Sequence, residues 1–282
     1  MQPSPVTCKN CNHQFTGNYC NNCGEKFFTA HDKSIWHLFE ETVHFITHFE
    51  GKFLTTIKAI LTKPGKLSLD YCNGIQKKYY RPLSFFLVLM VIYLLFPIAK
   101  GLNMPLGYHT SSGFYGRFAL QKVLALMNEK HLSEAYVVEH YHTASEKVSK
   151  LLILLIIPAM ALWSRLLTLK RKDKVYFDHF IFCTEVNSFL VLWGFLILPL
   201  LARLIFAVIS AASGKAYFSD GMFAVLLIGF LCLFTFVGAR RFYGFTTLKA
   251  LLFAALFTGL YVLIIQYAYK FLLFYISLQL VH

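Results

Sequence analysis

From about residue 83 onward the chain is dominated by long apolar runs. Those over 83–99, 151–169, 178–198, 222–238 and 248–268 approach or reach the ~20 residues that carry an α-helix across a ~30 Å hydrocarbon layer, and they predict five membrane-spanning helices. Upstream the period changes. In "SIWHLFEETVHFITHFEGKFLTTIKAILTKPGK", Ile35, Leu38, Phe39, Val43, Ile46, Phe49, Phe53, Ile57, Ile60 and Leu61 recur at helical spacing among polar positions. That pattern predicts an amphipathic helix, or two hinged near Gly51, lying in the headgroup layer. Asp32 or Ser34 is placed to cap its start, and Pro64-Gly65 to end it. Between the first two spans, Leu120, Val123, Leu124 and Met127, then Leu132, Tyr136, Val137 and Tyr141, mark shorter helical pieces. The segment 100–148 is therefore expected to form a small extracytoplasmic helical cap against the outer ends of the third and fifth spans.

Composition agrees with the pattern: 57% hydrophobic residues, 15% charged residues and 29 Phe exclude an ordinary soluble domain, which would expose large apolar patches. Charge then sets the expected orientation. Lys9, Lys26, Lys33, Lys52, Lys58, Lys63, Lys66, Lys77, Lys78 and Arg81 precede the first span; Arg165, Lys170, Arg171, Lys172 and Lys174 follow the second; Arg240, Arg241 and Lys249 follow the fourth. All three segments lie on one side of a five-span chain, and cytoplasmic loops are the ones enriched in Lys and Arg. The N-terminus is expected in the cytoplasm, with no cleaved signal peptide, and the C-terminus outside. The net charge of +13 is then accounted for by topology and by attraction to anionic lipid headgroups, and no nucleic-acid partner is expected.

The first 30 residues carry different chemistry. "CKNCNHQFTGNYCNNCG" places Cys8, Cys11, Cys20 and Cys23 in two C-x-x-C pairs, and in a reducing compartment such pairs hold metal more often than they form disulfides. Each pair can make a tight turn with two thiolates inward, giving a closed tetrahedral sulfur cage for a structural zinc with no open position for a reacting water. So short a segment buries too little to fold alone, which makes metal binding part of its folding energy. Cys72, Cys183 and Cys232 stand singly and read as apolar fillers.

Three further polar constellations stand out. His37, Glu41, His44 and His48 lie on one face of the amphipathic helix and form a candidate second metal site, or simply a polar face turned to water and headgroups. The third span carries Asp178, His179, Glu185, Asn187 and Ser188 in its cytoplasmic half. Ionisable groups at such depth are costly unless paired, so His179, Glu185 and Asn187 are a candidate intramembrane polar site or a clasp that fixes helix packing. Ser164 and Arg165 are possible partners. In the cap, His131, Glu134, Glu139, His140 and His142 include one Glu-x-x-His pair, short of the several that a dimetal site needs. Phosphate loops, nucleophile elbows and H-E-x-x-H are missing, so no enzymatic activity is expected.

"YCNNCGEK" followed by "EGKFLTTIKAILTKPGKLSLDYCNGIQKKYYRPLSFF" resembles the bacterial domain-of-unknown-function family 3667. The resemblance is carried by Cys20, Cys23, Gly24, Gly51, Thr55, Thr56, Pro64, Gly65, Tyr71, Gly74, Tyr80, Arg81 and Pro82. It continues in "YFDHFIFCTEVNSF", where His179 is kept while Glu185 and Asn187 stand in place of further histidines, and it leaves 100–148 unmatched. The family brings no activity to transfer.

The sequence thus predicts an all-α polytopic protein of the bacterial inner membrane. A zinc ribbon over 1–30, an interfacial helical region over 31–82 and a transmembrane bundle over 83–282 are its expected parts. The expected role is a binding or scaffold protein whose ribbon recruits a cytoplasmic protein to the bilayer. The alternative is a transporter or lipid-handling protein using Glu185, His179 and Asn187. Partner identity and oligomeric state are left open.

Overall fold

The computed structural model of the chain describes residues 5–27, 51–96, 103–169, 171, 173–213 and 220–281. The chain divides into two compact units, Met1–Ile98 with Met160–Thr258, and Ala99–Ala159 with Gly259–His282.

The first unit begins with a short antiparallel pair, β1 (Val6–Thr7) and β2 (Gln14–Phe15), in which Val6 faces Phe15 and Thr7 faces Gln14. Displaced by twelve residues, Tyr19 pairs with Lys26 in the same way, and the Phe27 N–H donates to the Asn18 carbonyl at 2.8 Å. The two halves of the ribbon thus repeat the same pairing with a twelve-residue offset.

Helix α1 (Lys52–Thr62) buries Phe53, Thr56, Ala59 and Ile60 along one stripe and leaves Leu54 exposed, as helical spacing requires. It stops because Pro64 cannot continue the hydrogen-bond ladder, and Gly65, at φ 76°, reverses the chain into α2 (Lys66–Cys72). Glycine is required at this turn twice over: besides the left-handed backbone, a Cβ here would lie 2.6 Å from the carbonyl oxygen of Gly238. Helix α3 (Pro82–Leu95) starts with proline at a position whose N–H would have no partner.

The remaining elements are α4 (Leu106–Thr110), α5 (Gly116–Lys130), α6 (Glu134–Leu167), α7 (Tyr176–Phe189), a π-helical stretch (Leu190–Ile197), α8 (Leu198–Ser213), α9 (Asp220–Tyr243), α10 (Thr247–Leu263), a second π-helical stretch (Ile264–Tyr269) and α11 (Lys270–Gln279). Four continuous helices are long and apolar enough to cross a membrane: Glu134–Leu167, Tyr176–Ile205, Gly221–Tyr243 and Thr247–Gln279. The shorter Pro82–Leu95 is a fifth apolar helix. At 1.5 Å per residue its described part is about 21 Å long, while α6 at about 50 Å far exceeds the hydrocarbon layer. The first π-helical stretch includes Phe195, whose carbonyl Pro199 cannot serve as donor, and a widened turn accommodates that gap. The apolar helices leave large hydrophobic side chains exposed, among them Leu151 (68%), Leu155 (60%) and Val225 (70%).

Helix α7 is the axis of the first unit. It packs against α1, α2, α3 and α9, and its residues from Phe177 to Phe189 are all buried. Each polar side chain on it therefore needs an internal partner.

In the second unit, Leu106, Tyr115, Ala119, Val123, Val137 and Tyr141 pack on Phe274, Leu278 and Val281. The helical pieces read from 100–148 are built on the end of the last helix.

Candidate metal centre and its clasp to the membrane helices

The two knuckles of the ribbon have the same backbone wiring. The Cys8 N–H donates to the His13 carbonyl (2.8 Å) and the Asn12 N–H to the Cys8 carbonyl (2.9 Å); the Cys20 N–H donates to the Glu25 carbonyl (2.8 Å) and the Gly24 N–H to the Cys20 carbonyl (2.6 Å). Each turn needs a left-handed residue after its second cysteine, supplied by Asn12 (φ 60°) and Gly24 (φ 66°). At position 24 a side chain would also run into the Lys77 ammonium group.

This wiring points all four sulfurs inward. The Cys8, Cys11, Cys20 and Cys23 Sγ atoms lie within 4.8 Å of one another, with Cys8–Cys23 at 3.5 Å and Cys11–Cys20 at 3.6 Å. Four ligands about 2.3 Å from a central ion in tetrahedral geometry would be separated by about 3.8 Å, so the set fits a tetrahedral tetrathiolate metal ion. The His13 amide beside Cys11 lowers its thiol to about 6. Burial pushes Cys23 up to about 12. Burial also opposes ionisation of Cys20, but the Cys23 and Asn22 amides outweigh it and bring that thiol down. Among the described residues this is the one His/Cys/Asp/Glu group with metal-ligating geometry. His131, Glu134, Glu139, His140 and His142 do not form one; His142 instead approaches Glu146 at 3.8 Å on the surface. His37, Glu41, His44 and His48 lie outside the described residues.

The ribbon is tied down by Glu25, a residue the sequence reading passed over. Its carboxylate is 3% exposed and accepts the Gln76 N–H at 3.1 Å and the Lys77 N–H at 2.9 Å. These amides belong to the turn before α3, which is held in its own right. The Tyr80 N–H donates to Thr56 Oγ1 at 2.8 Å, and the Tyr79 hydroxyl donates to Asp70 at 2.8 Å. Burial and the Asp70 carboxylate both push the Tyr79 phenol well above its usual range.

A second clasp joins α2 to α7. Glu185, fully buried, accepts the Gly65 N–H (2.8 Å), the Ser68 N–H (2.8 Å) and the Ser68 hydroxyl. The Arg241 guanidinium, at the end of α9, donates to the neighbouring Pro64 carbonyl. The α1–α2 turn is thus held by α7 and α9 together.

Residues 50–94 match the family model described as Protein of unknown function (DUF3667). The DUF3667 match covers about a sixth of the chain, less than the resemblance read from the sequence, and the ribbon cysteines and α7 lie outside it. It coincides with α1, the Pro64-Gly65 turn, α2, the turn to Arg81 and α3, the stretch that both clasps grip. No curated protein and no solved structure matches the chain.

The other polar residues of α7 have separate partners. His179 Nδ1 lies 2.8 Å from the Tyr243 hydroxyl and 3.2 Å from Ser164 Oγ, and Ser164 Oγ is itself 2.7 Å from Tyr243. His179 Nε2 faces Thr168 Oγ1 at 3.5 Å. Ser164 was expected as a partner, whereas Tyr243 was not, although its place beside Arg240 and Arg241 puts it near the same depth. The Asn187 side-chain amide donates to the Cys183 carbonyl one turn back at 2.8 Å, and Asp178 accepts the Val175 N–H at the start of α7. His179, Glu185 and Asn187 share a helix but have no common hydrogen-bond partner in these contacts.

Proposed function

We propose that this is a multi-pass protein of the bacterial inner membrane whose cytoplasmic zinc ribbon is a fixed recognition knob for a cytoplasmic protein partner. The observation that carries the proposal is the Glu25 clasp, a buried carboxylate that seats the second knuckle on the turn entering the first apolar helix. A tether would be enough to keep a ribbon near a membrane; a clasp fixes the direction in which it faces.

Zinc is the ion that best suits four thiolates in a closed tetrahedron, and with no vacant position its role is to fold the ribbon. Orientation is supported by the basic segments: Arg241 contacts Pro64, and Lys174 stacks over Phe242 at 4.3 Å. The loops after α6 and α9 therefore lie at the same end as the basic N-terminal region, as a positive cytoplasmic face requires. An enzymatic role is not proposed.

The scaffold reading is preferred to transport because the oxygens of Glu185 are engaged by Gly65 and Ser68 and His179 is enclosed by Ser164, Thr168 and Tyr243. A substrate path through this region would have to break these contacts. The test is photocrosslinking in cells from Tyr19, which is 62% exposed on the ribbon. A discrete adduct that disappears in the Cys8→Ser/Cys20→Ser variant is expected. Absence of any discrete adduct from Tyr19 and from Phe27, at normal protein levels, would refute a partner at the ribbon.

A further inference from the structure

Within the first unit, a groove of about 530 Å³ opens where the end of α6 faces the start of α10. Its walls are apolar, with Leu166 and Leu169 on one side and Leu252, Phe253 and Leu256 on the other. The four leucines are exposed, and in a bilayer such side chains meet acyl chains as apolar as themselves. One turn back along α6, the Trp163 indole N–H donates to the Leu256 carbonyl at 3.3 Å, so the two helices are joined at the inner end of the groove.

The other end is polar. Thr168 and Arg171 form it beyond α6, and Thr246 and Lys249 form it at the start of α10. Arg171 is neutralised by Asp173 through two bonds, at 2.9 and 3.1 Å. Among the described residues no acidic side chain lines the groove, and α10 carries none in its first turn. The mouth therefore keeps the charge of Lys249, which is exposed. Lys249 lies in the first turn of a 17-residue helix, where a cation stands against the helix dipole and an anion beside it is attracted by both. The span read at 151–169 ends at this mouth, which puts Lys249 at the depth of headgroup phosphates.

We propose that this groove binds one molecule of an anionic phospholipid, with an acyl chain against Leu166, Leu252 and Leu256 and the phosphate at Lys249. Two apolar walls with a single cation at one end match an amphiphile with a single negative charge, and the bilayer around these helices supplies it. The volume lies within the range of about 300–1,000 Å³ usual for ligand sites. No ribbon residue takes part, so failure of this proposal leaves the protein partner proposed above untouched.

The full chain in non-ionic detergent is titrated with dioleoyl-phosphatidylglycerol and, separately, with dioleoyl-phosphatidylcholine, and lipid adducts are counted by native mass spectrometry. Leu252→Trp fills the groove and Lys249→Gln removes its cation. Leu233→Trp and Arg240→Gln make the same exchanges at exposed positions of α9. All four variants replace exposed side chains and are required to keep the wild-type elution profile, and Lys249→Gln decides the matter should Leu252→Trp fail to fold. The wild type is expected to saturate at about one phosphatidylglycerol and to hold it about fivefold more tightly than phosphatidylcholine, the scale for one lysine at a lipid surface. Lys249→Gln should abolish that preference. Leu252→Trp should weaken both lipids about tenfold, the scale for displacing two methylenes, and the α9 variants should match the wild type. Absence of a saturable adduct, equal binding of the two lipids by the wild type, a preference that survives Lys249→Gln, or equal weakening by Leu252→Trp and Leu233→Trp overturns the proposal.

Discussion

Glu185→Gln tests the clasp between α2 and α7. The native carboxylate accepts from Gly65 N–H, Ser68 N–H and the Ser68 hydroxyl through two oxygens. Glutamine keeps one acceptor and turns an NH2 toward a backbone N–H, so at least one bond is lost and two donors face each other in a buried site. Charge-assisted bonds are worth about 1.5–3 kcal/mol and an unmet buried donor costs about 1–3, so local opening of α2 should become easier by about 2–4 kcal/mol. Cys72, at the end of α2 and 5% exposed, is a natural reporter. Its alkylation rate, followed by mass spectrometry of the Cys72 peptide in the folded protein, should rise by roughly 30- to 1000-fold, since 1.4 kcal/mol is a factor of ten in the open population. Ser68→Ala, which removes only the hydroxyl, should raise it about fivefold. A Glu185→Gln rate within threefold of wild type would refute the clasp and return Glu185 to the list of candidate transport residues.

Other outcomes follow from the same contacts. Glu25→Gln should speed hydrogen exchange at the Gln76 and Lys77 amides by at least about tenfold while metal content is retained; slow exchange in the variant would mean that the ribbon is seated otherwise. Gly65→Ala should lower the melting temperature far more than Gly238→Ala, because the first forces a left-handed backbone and a clash with a carbonyl whereas the second meets the Phe182 ring at 3.1 Å and the Gly65 nitrogen at an ordinary 3.6 Å; equal losses would contradict this. His179→Phe and Tyr243→Phe should be non-additive by about 0.5–3 kcal/mol in a double-mutant cycle, and additivity would dissolve the network. His109 is buried, and burial together with Lys270 lowers its pKa to about 4. Because the unfolded chain takes up this proton first, stability of the second unit should fall as pH drops from about 6.5 toward 4, by on the order of 1–3 kcal/mol. His109→Gln should flatten that slope in a melting series, and an unchanged slope would assign it to other groups.

Much of this architecture was legible in the sequence because membrane solvation writes itself in long runs. The spans read at 178–198, 222–238 and 248–268 fall inside helices and that at 151–169 overruns its helix, Glu134–Leu167, by two residues, while the paired C-x-x-C motifs identified the sulfur cluster. Partner choice was not legible, since it depends on contacts distant in sequence. Glu185 was recognised as a buried charge, yet its partners lie 117 and 120 residues away, in a Pro-Gly-Lys-Leu-Ser turn that reads only as a helix stop. The available signal was that α2 begins without a capping side chain of its own. Glu25 was hidden for a similar reason, since in "CGEK" it reads as an ordinary surface charge. The spans read from the sequence end at 198 and 268, whereas the backbone continues in helical form through Pro199 and through Tyr267–Lys270, with π-helical stretches close by.

The central claim is that four cysteines hold one structural zinc. Elemental analysis of the detergent-purified chain beside the Cys8→Ser/Cys20→Ser variant tests it directly. The account predicts about one zinc per chain in the wild type and none in the variant. A wild-type chain purified without zinc, or a variant that retains it, would contradict the account.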